Sequence, residues 1–186
     1  MKTEIKVIRF LLRKKTATIK AVAEGINSDY RITHTAVQRL VKKGMLSPRR
    51  IGNSVEIPLV PRMSVEIFEA ESEKRSELLK KRTFRALDSY MNGLRFPFIA
   101  LVFGSHAKGT SNARSDIDIM VICEKNRQRS TESKISLVPN VHLLMFTQEE
   151  FLQMAKSSEF TAVSEAMKDN ILMAGIEDYY RLICNG

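Results

Sequence analysis

The 186-residue sequence predicts an α/β (α+β) chain built in two folded parts joined by a helix. Three observations carry that expectation. Apolar residues recur at three- and four-residue steps through the first 43 positions, the period of a helix packed on one side. After residue 96 the texture changes to short continuous apolar runs, which read as strands buried on both faces. Charge is divided unevenly: the net charge of +9 splits into +10 for residues 1–62, +1 for 63–97 and −2 for 98–186. The chain is long enough for two small domains, each with its own core, and its apolar fraction of 44% is ordinary for a globular protein.

In the first part, residues 4–14 (EIKVIRFLLRK) set Ile5, Ile8, Leu11 and Leu12 on one helical face. Thr16 or Thr18 is placed to cap a second helix through Ile19, Val22 and Ala23, ending near Gly25. Asn27-Ser28-Asp29 reads as a turn. Thr33 or Thr35 then caps a third helix with Val37, Leu40 and Val41 inward, and Gly44 stops it. A strand begins at Met45–Leu46, Arg49 to Asn53 forms a tight basic turn, and Val55–Leu59 returns. Pro58 and Pro61 close the unit.

Three helices followed by a hairpin, with the segment TAVQRLVKKGMLSPRRIGNSVEIPL, resemble the recognition helix and wing of winged helix-turn-helix regulators. The resemblance covers about a third of the chain, residues 1–62, and implies DNA binding. His34, Thr35, Gln38, Arg39 and Lys42 fall on or near the exposed side of the third helix. Gln and Arg read base edges bidentately, and Lys meets phosphate. Arg49 and Arg50 stand at the expected tip of the wing. The local surplus of +10 fits a polyanion partner. Such domains commonly work in pairs on two-fold DNA sites, so a homodimer is expected.

Residues 63–95 read as a linker helix. Its front part is dense in both charge signs, and Phe84, Leu87, Tyr90 or Met91, and Leu94 form one apolar face farther on. Residues 96–186 form the second part. Phe98–Phe103, Ile117–Cys123 and Val141–Phe146 are predicted strands of a mixed sheet. Glu124–Ser136 is polar and reads as a surface excursion; Gln148–Ala155, residues 160–174 and Glu177–Ile183 read as helical.

The informative segment is FIALVFGSHAKGTSNARSDIDIMV, residues 98–121. Gly104 at a strand end lets the backbone turn and approach a ligand closely. Ser105 and the N–H groups after it face the start of a helix, where an anion is favoured. Gly109 keeps the next turn free of a side chain. Asp116 and Asp118, two apart, send their carboxylates to one face, where they repel unless a cation lies between them. Mg²⁺ carried by nucleotide phosphates is the natural occupant.

The order strand, Gly104-Ser105, Gly109, Ser115-Asp116-Ile117-Asp118, strand resembles the signature of minimal nucleotidyltransferases of the polymerase-beta-like superfamily. That resemblance implies an enzyme that binds a nucleoside triphosphate such as ATP with Mg²⁺ and transfers the nucleotidyl group to a hydroxyl. Asp116 and Asp118 would hold the metal, and Gly104, Ser105, Gly109 and Ser115 the nucleotide. The family also carries a third carboxylate on the next core strand, here Asn140-Val141-His142-Leu143-Leu144-Met145. No Asp or Glu lies on it; His142 stands in the expected place, with Asn140 the other candidate and Glu124 a distant one. Histidine can still serve as a base.

Two functions follow. In one, the chain resembles the nucleotidyltransferase-fold antitoxins, which add nucleotides to a hydroxyl of a partner toxin. In the other, it is a DNA-binding transcriptional regulator whose nucleotidyltransferase-like part has lost catalysis and senses nucleotide or a partner. Transfer to RNA or a small molecule fits less well, because the second part is slightly acidic and residues 147–186 leave little room for an acceptor domain. Cys123 and Cys184 form neither a disulfide framework nor a zinc set. No apolar run reaches the length of a membrane span and the lysine-rich start is unlike a signal peptide, so a cytoplasmic location is expected.

Overall fold

The computed structural model describes residues 1–157, 159 and 161–185. The chain divides into two compact units, Met1–Glu73 and Lys74–Gly186.

In the first unit, α1 (Thr3–Lys14), α2 (Ile19–Gly25) and α3 (Tyr30–Lys42) pack together. Ile5, Ile8, Leu11, Leu12, Val22, Ala23, Val37 and Leu40 form the buried face, as the periodicity requires. Thr18 caps α2 by accepting from the Ala21 N–H. The third helix departs from its predicted start. Asp29 is its cap, accepting from the N–H groups of Arg31 and Ile32. Thr33 is fully buried inside the helix, its hydroxyl donating to the Asp29 carbonyl. Aspartate outcompetes the later threonines because an ionised acceptor also answers the positive end of the helix.

An antiparallel hairpin follows, β1 (Arg49–Ile51) and β2 (Ser54–Glu56), with Arg50 opposite Val55. Arg49 and Arg50 therefore lie on a strand rather than in the turn, which is left to Gly52 and Asn53. Gly52 takes a φ of +58°, the left-handed backbone such a tight reversal needs. Met45–Leu46 does not extend this ladder: Leu46 makes only an isolated bridge to Leu59.

Residues 64–95 form two helices rather than one. α4 (Val65–Leu78) crosses the division between the units, and α5 (Arg82–Asn92) belongs to the second. Phe84, Leu87 and Met91 of α5 enter the second unit's core, so this helix is part of the fold it was expected to tether.

The second unit is built on β3 (Ile99–Val102), β4 (Ile117–Ile122), β5 (Val141–Phe146) and β6 (Ile171–Ala174), in the order β5-β4-β3-β6. β4 runs parallel to β5 and antiparallel to β3, and β3 is antiparallel to β6. Ala100, Val102, Ile117, Ile119 and Val121 face α5 and α7 (Gln128–Ile135). The alternate residues Leu101 and Met120 are equally buried, on the opposite face. That double burial explains the continuous apolar runs.

Two expectations change here. The polar stretch 124–136 folds into α7, whose Thr131 and Ile135 are buried. Residues 160–174 contain α9 (Ala162–Lys168) and then β6, so their C-terminal part is a strand; Phe160 lies outside the described residues. Between them, α8 (Gln148–Lys156) begins with Thr147 and Glu150 in a reciprocal capping box, and α10 (Ile176–Asn185) ends the chain. No helix among the described residues is long and apolar enough to cross a membrane.

Candidate functional site

The glycine-serine motif stands where β3 gives way to α6 (Gly104–Lys108). Gly104 has a φ of +63°. A Cβ there would sit 2.2 Å from Asp118 Oδ2. Glycine is therefore required twice, by backbone conformation and by the carboxylate pressed against it. Gly109 ends α6 with a φ of +76°. Its N–H and that of Thr110 both turn back to the Ser105 carbonyl, the latter at 3.0 Å. Ser105 is half-buried at the start of this turn.

Asp118 is the half-buried position of β4, whose other five residues are buried. Its carbonyl accepts from the Phe103 N–H at 3.0 Å, which locks it beside the Gly104 turn. On its other flank the parallel register sets it opposite His142. The imidazole Nδ1 lies 3.2 Å from Asp118 Oδ1. Asp118 and His142 thus share the sheet face turned away from α5, since Ile117, Ile119, Val141 and Leu143 occupy the α5 side. Asp116 is exposed and immediately precedes β4. Asn140 holds a left-handed turn with a φ of +57° and its carbonyl accepts from Ile117 N–H at 2.8 Å, so its backbone sets the β4–β5 register. Glu124 is exposed beyond the far end of β4.

Ser115 is tied into the loop before Asp116. Its hydroxyl accepts from the Asn112 N–H at 2.9 Å, and its N–H donates to the Asn112 carbonyl at 3.2 Å. Two neighbours escaped the sequence reading. His106 packs edge-on against Phe84, with ring centroids 5.2 Å apart, and its Nε2 stands 3.4 Å from the Ser115 carbonyl. Lys108 bonds to Glu165 of α9 at 2.6 Å. That hydrogen bond raises the lysine pKa, and the charge of Asp118 adds to the shift, so a held cation lies within the field of the site. Its position one helical turn after Gly104 was the available signal. A cleft of about 400 Å³ opens beside His106 and Ser115 on the α5 side, lined also by Phe84, Asn112, Ile117 and Asn140, and neither Asp118 nor His142 lines it.

The family model described as Polymerase beta, Nucleotidyltransferase matches residues 87–177. The match runs from within α5 to the start of α10, and so contains the whole sheet and both halves of the motif. The chain therefore carries a nucleotidyltransferase-like domain, an assignment that agrees with the mixed sheet. No curated protein matches the chain.

The carboxylates of this nucleotidyltransferase-like domain fit Mg²⁺ in one way. Among the described residues, no group of three or more His, Cys, Asp or Glu is gathered to hold an ion. Mg²⁺ does not require one: it retains waters and takes one or two carboxylates together with substrate phosphate oxygens. Asp118 directs Oδ1 to His142 and Oδ2 to the Gly104 turn. The set suits an ion that arrives with a nucleotide.

In the first unit, His34, Thr35, Gln38, Arg39 and Lys42 are all exposed on α3, as are Arg49 and Arg50 on β1. Arg39 pairs with Glu4 at 3.1 Å and Arg49 with Glu56 at 3.5 Å. The Thr35 hydroxyl donates to the Arg31 carbonyl, and His34 lies against Tyr30, centroids 6.1 Å apart. Because α3 begins at Tyr30, the exposed face also includes Tyr30, Arg31 and Ile32. The sequence reading missed them by starting the helix at a later cap.

Proposed function

We propose that the nucleotidyltransferase-like domain binds a nucleoside triphosphate with Mg²⁺ and transfers its nucleotidyl group to a hydroxyl of a partner protein, breaking the bond between the α- and β-phosphates and releasing pyrophosphate, in the manner of a nucleotidyltransferase-fold antitoxin. The first unit acts as a winged helix-turn-helix that brings the chain to DNA. The observation that carries the reading is Asp118 set between the left-handed Gly104 turn and His142. In it a glycine turn at a helix start, a carboxylate and an imidazole converge on one point.

The roles follow from position. Gly104, Ser105 and Gly109 form the turn against which the outer phosphates lie, while Ser115 fixes the loop that presents Asp116. Asp116 and Asp118 would hold Mg²⁺, which when bound would neutralise phosphate charge. His142, with Nδ1–H donating to Asp118, keeps Nε2 free to take the proton of the attacking hydroxyl. Lys108 adds positive charge near the phosphates.

In unit 1, Gln38 and Arg39 read base edges, His34 and Thr35 lie beside them, and Lys42, Arg49 and Arg50 meet phosphate. A homodimer would present two such faces to a two-fold DNA site. Incubation with radioactive ATP and candidate partner proteins tests the enzyme. Label should pass to a partner with the wild-type chain and fail to pass with Asp116→Ala/Asp118→Ala. Transfer that persists in the double variant rejects these residues.

One observation favours a second reading. The side chain opposite Asp118 on β5 is His142, not a carboxylate. A catalytically degenerate domain that senses nucleotide would bind ATP–Mg²⁺ without turnover and change the DNA affinity of unit 1. Equal DNA affinity with and without ATP–Mg²⁺ excludes that reading.

A further inference from the structure

α1 buries Ile5, Val7, Ile8, Leu11 and Leu12 on one side. Its remaining surface carries Lys6, Arg9, Arg13 and Lys14, which with Met1, Phe10, Gly25 and Ile26 line a cleft of about 380 Å³. No Asp or Glu lines this cleft, and no residue of α3 or the hairpin does. Gly25 gives it its shape. A Cβ at that position would lie 2.0 Å from Phe10 Cε2, so the aromatic ring rests against bare backbone at the end of α2.

We infer that this cleft is a binding site for a polyphosphate chain, free or as part of a nucleoside polyphosphate, separate from both the DNA-facing side of α3 and the Asp118 site. Lys6, Arg13 and Lys14 around a concavity focus potential and concentrate a multivalent anion. The Arg13 fork matches phosphate oxygens bidentately, and the two lysines add point charge. The cleft lies within the small-ligand range of roughly 300–1,000 Å³. A duplex can lie across such a concavity but cannot enter it. Phe10 supplies an apolar surface on which a base can stack. The inference does not depend on the proposed nucleotidyl transfer.

The test is calorimetric titration of the full chain with inorganic tripolyphosphate in the presence of EDTA, which keeps metal out of the measurement. The wild type and Lys156→Gln, a loss of one exposed cation at the end of α8, should bind alike. Lys6→Glu/Arg13→Glu should lose about tenfold or more in affinity, the scale of one lost charged hydrogen bond. The milder Arg13→Gln/Lys14→Gln, confined to exposed positions, guards against misfolding and should weaken binding in the same direction. No binding by the wild type, undiminished binding by both cleft variants, or an equal loss in Lys156→Gln overturns the proposal. So does a cleft variant that loses duplex DNA affinity while retaining tripolyphosphate, because it would make the cleft a DNA contact.

Discussion

Single residues carry the proposed site, and Gly104 is the most constrained of them. Gly104→Ala places a methyl group on Asp118 and also incurs the left-handed backbone cost of about 1–2 kcal/mol. Thermal unfolding should fall by several degrees, and ATP–Mg²⁺ affinity should drop because Asp118 must move. His142 makes a different prediction. His142→Ala should lower nucleotidyl transfer about 10²-fold while nucleotide affinity is kept. His142→Asp, which returns a carboxylate to the strand, should recover part of the rate. Unchanged transfer by His142→Ala removes it from the mechanism. The local placement of Gly104, Asp116 and Asp118 was legible in the sequence, because they sit at fixed offsets along one strand–turn–strand segment. The Asp118–His142 contact depended on parallel register between strands separated by α7, which no local pattern encodes. His106 and Lys108 were missed for a related reason. Their meaning comes from Phe84 and Glu165, which are distant in sequence.

At the level of elements, caps and strand register decide what spacing leaves open. Asp29→Ala should cost about 1 kcal/mol by removing the acceptor at the start of α3, and thermal unfolding measures it. Thr33→Ala does not remove that cap, so a larger loss from Thr33→Ala must come from its burial. On the hairpin, Arg49→Ala and Arg50→Ala should each weaken DNA binding evenly across sequences and reduce the salt slope by about one. Gln38→Ala should instead relax sequence preference. β6 was the clearest misreading. Ile171–Ala174 is too short to show a period, and only pairing with β3 makes it a strand.

Acid sensitivity also belongs to this scale. The Thr147 N–H at 2.7 Å holds the Glu150 carboxyl below its ordinary range. In unit 1 the Lys43 ammonium does the same for Glu66, while a backbone N–H and then Arg39 lower Glu4. Each carboxylate, lowered in the folded chain, contributes stability above its unfolded pKa. That contribution is lost as pH falls through the lower folded value. Melting temperature should therefore decline below about pH 4.5, near the ordinary glutamate range, and Glu150→Gln should flatten the part due to α8.

Across the whole molecule, the division at Glu73 changes how charge is shared. Residues 1–62 hold a net +10, yet Glu66, Glu69, Glu71 and Glu73 fall in the same unit, which leaves unit 1 at +6 and unit 2 at +3. The basic surplus is thus a property of α1, α3 and the hairpin rather than of a unit. Helical spacing gives way to buried-strand runs near residue 98, whereas the division between the units falls earlier, at Glu73. The place of α5 was not readable, because an amphipathic helix does not declare which core it joins.

The central claim is that Gly104, Ser105, Asp116 and Asp118 form one nucleotide–metal site. Calorimetric titration of ATP into the wild type and into Asp116→Ala/Asp118→Ala, each with and without Mg²⁺, tests it most directly. The wild type should show a Mg²⁺-dependent component of binding that the double variant abolishes. Equal Mg²⁺-dependent binding by both proteins, or no Mg²⁺ dependence in the wild type, contradicts it.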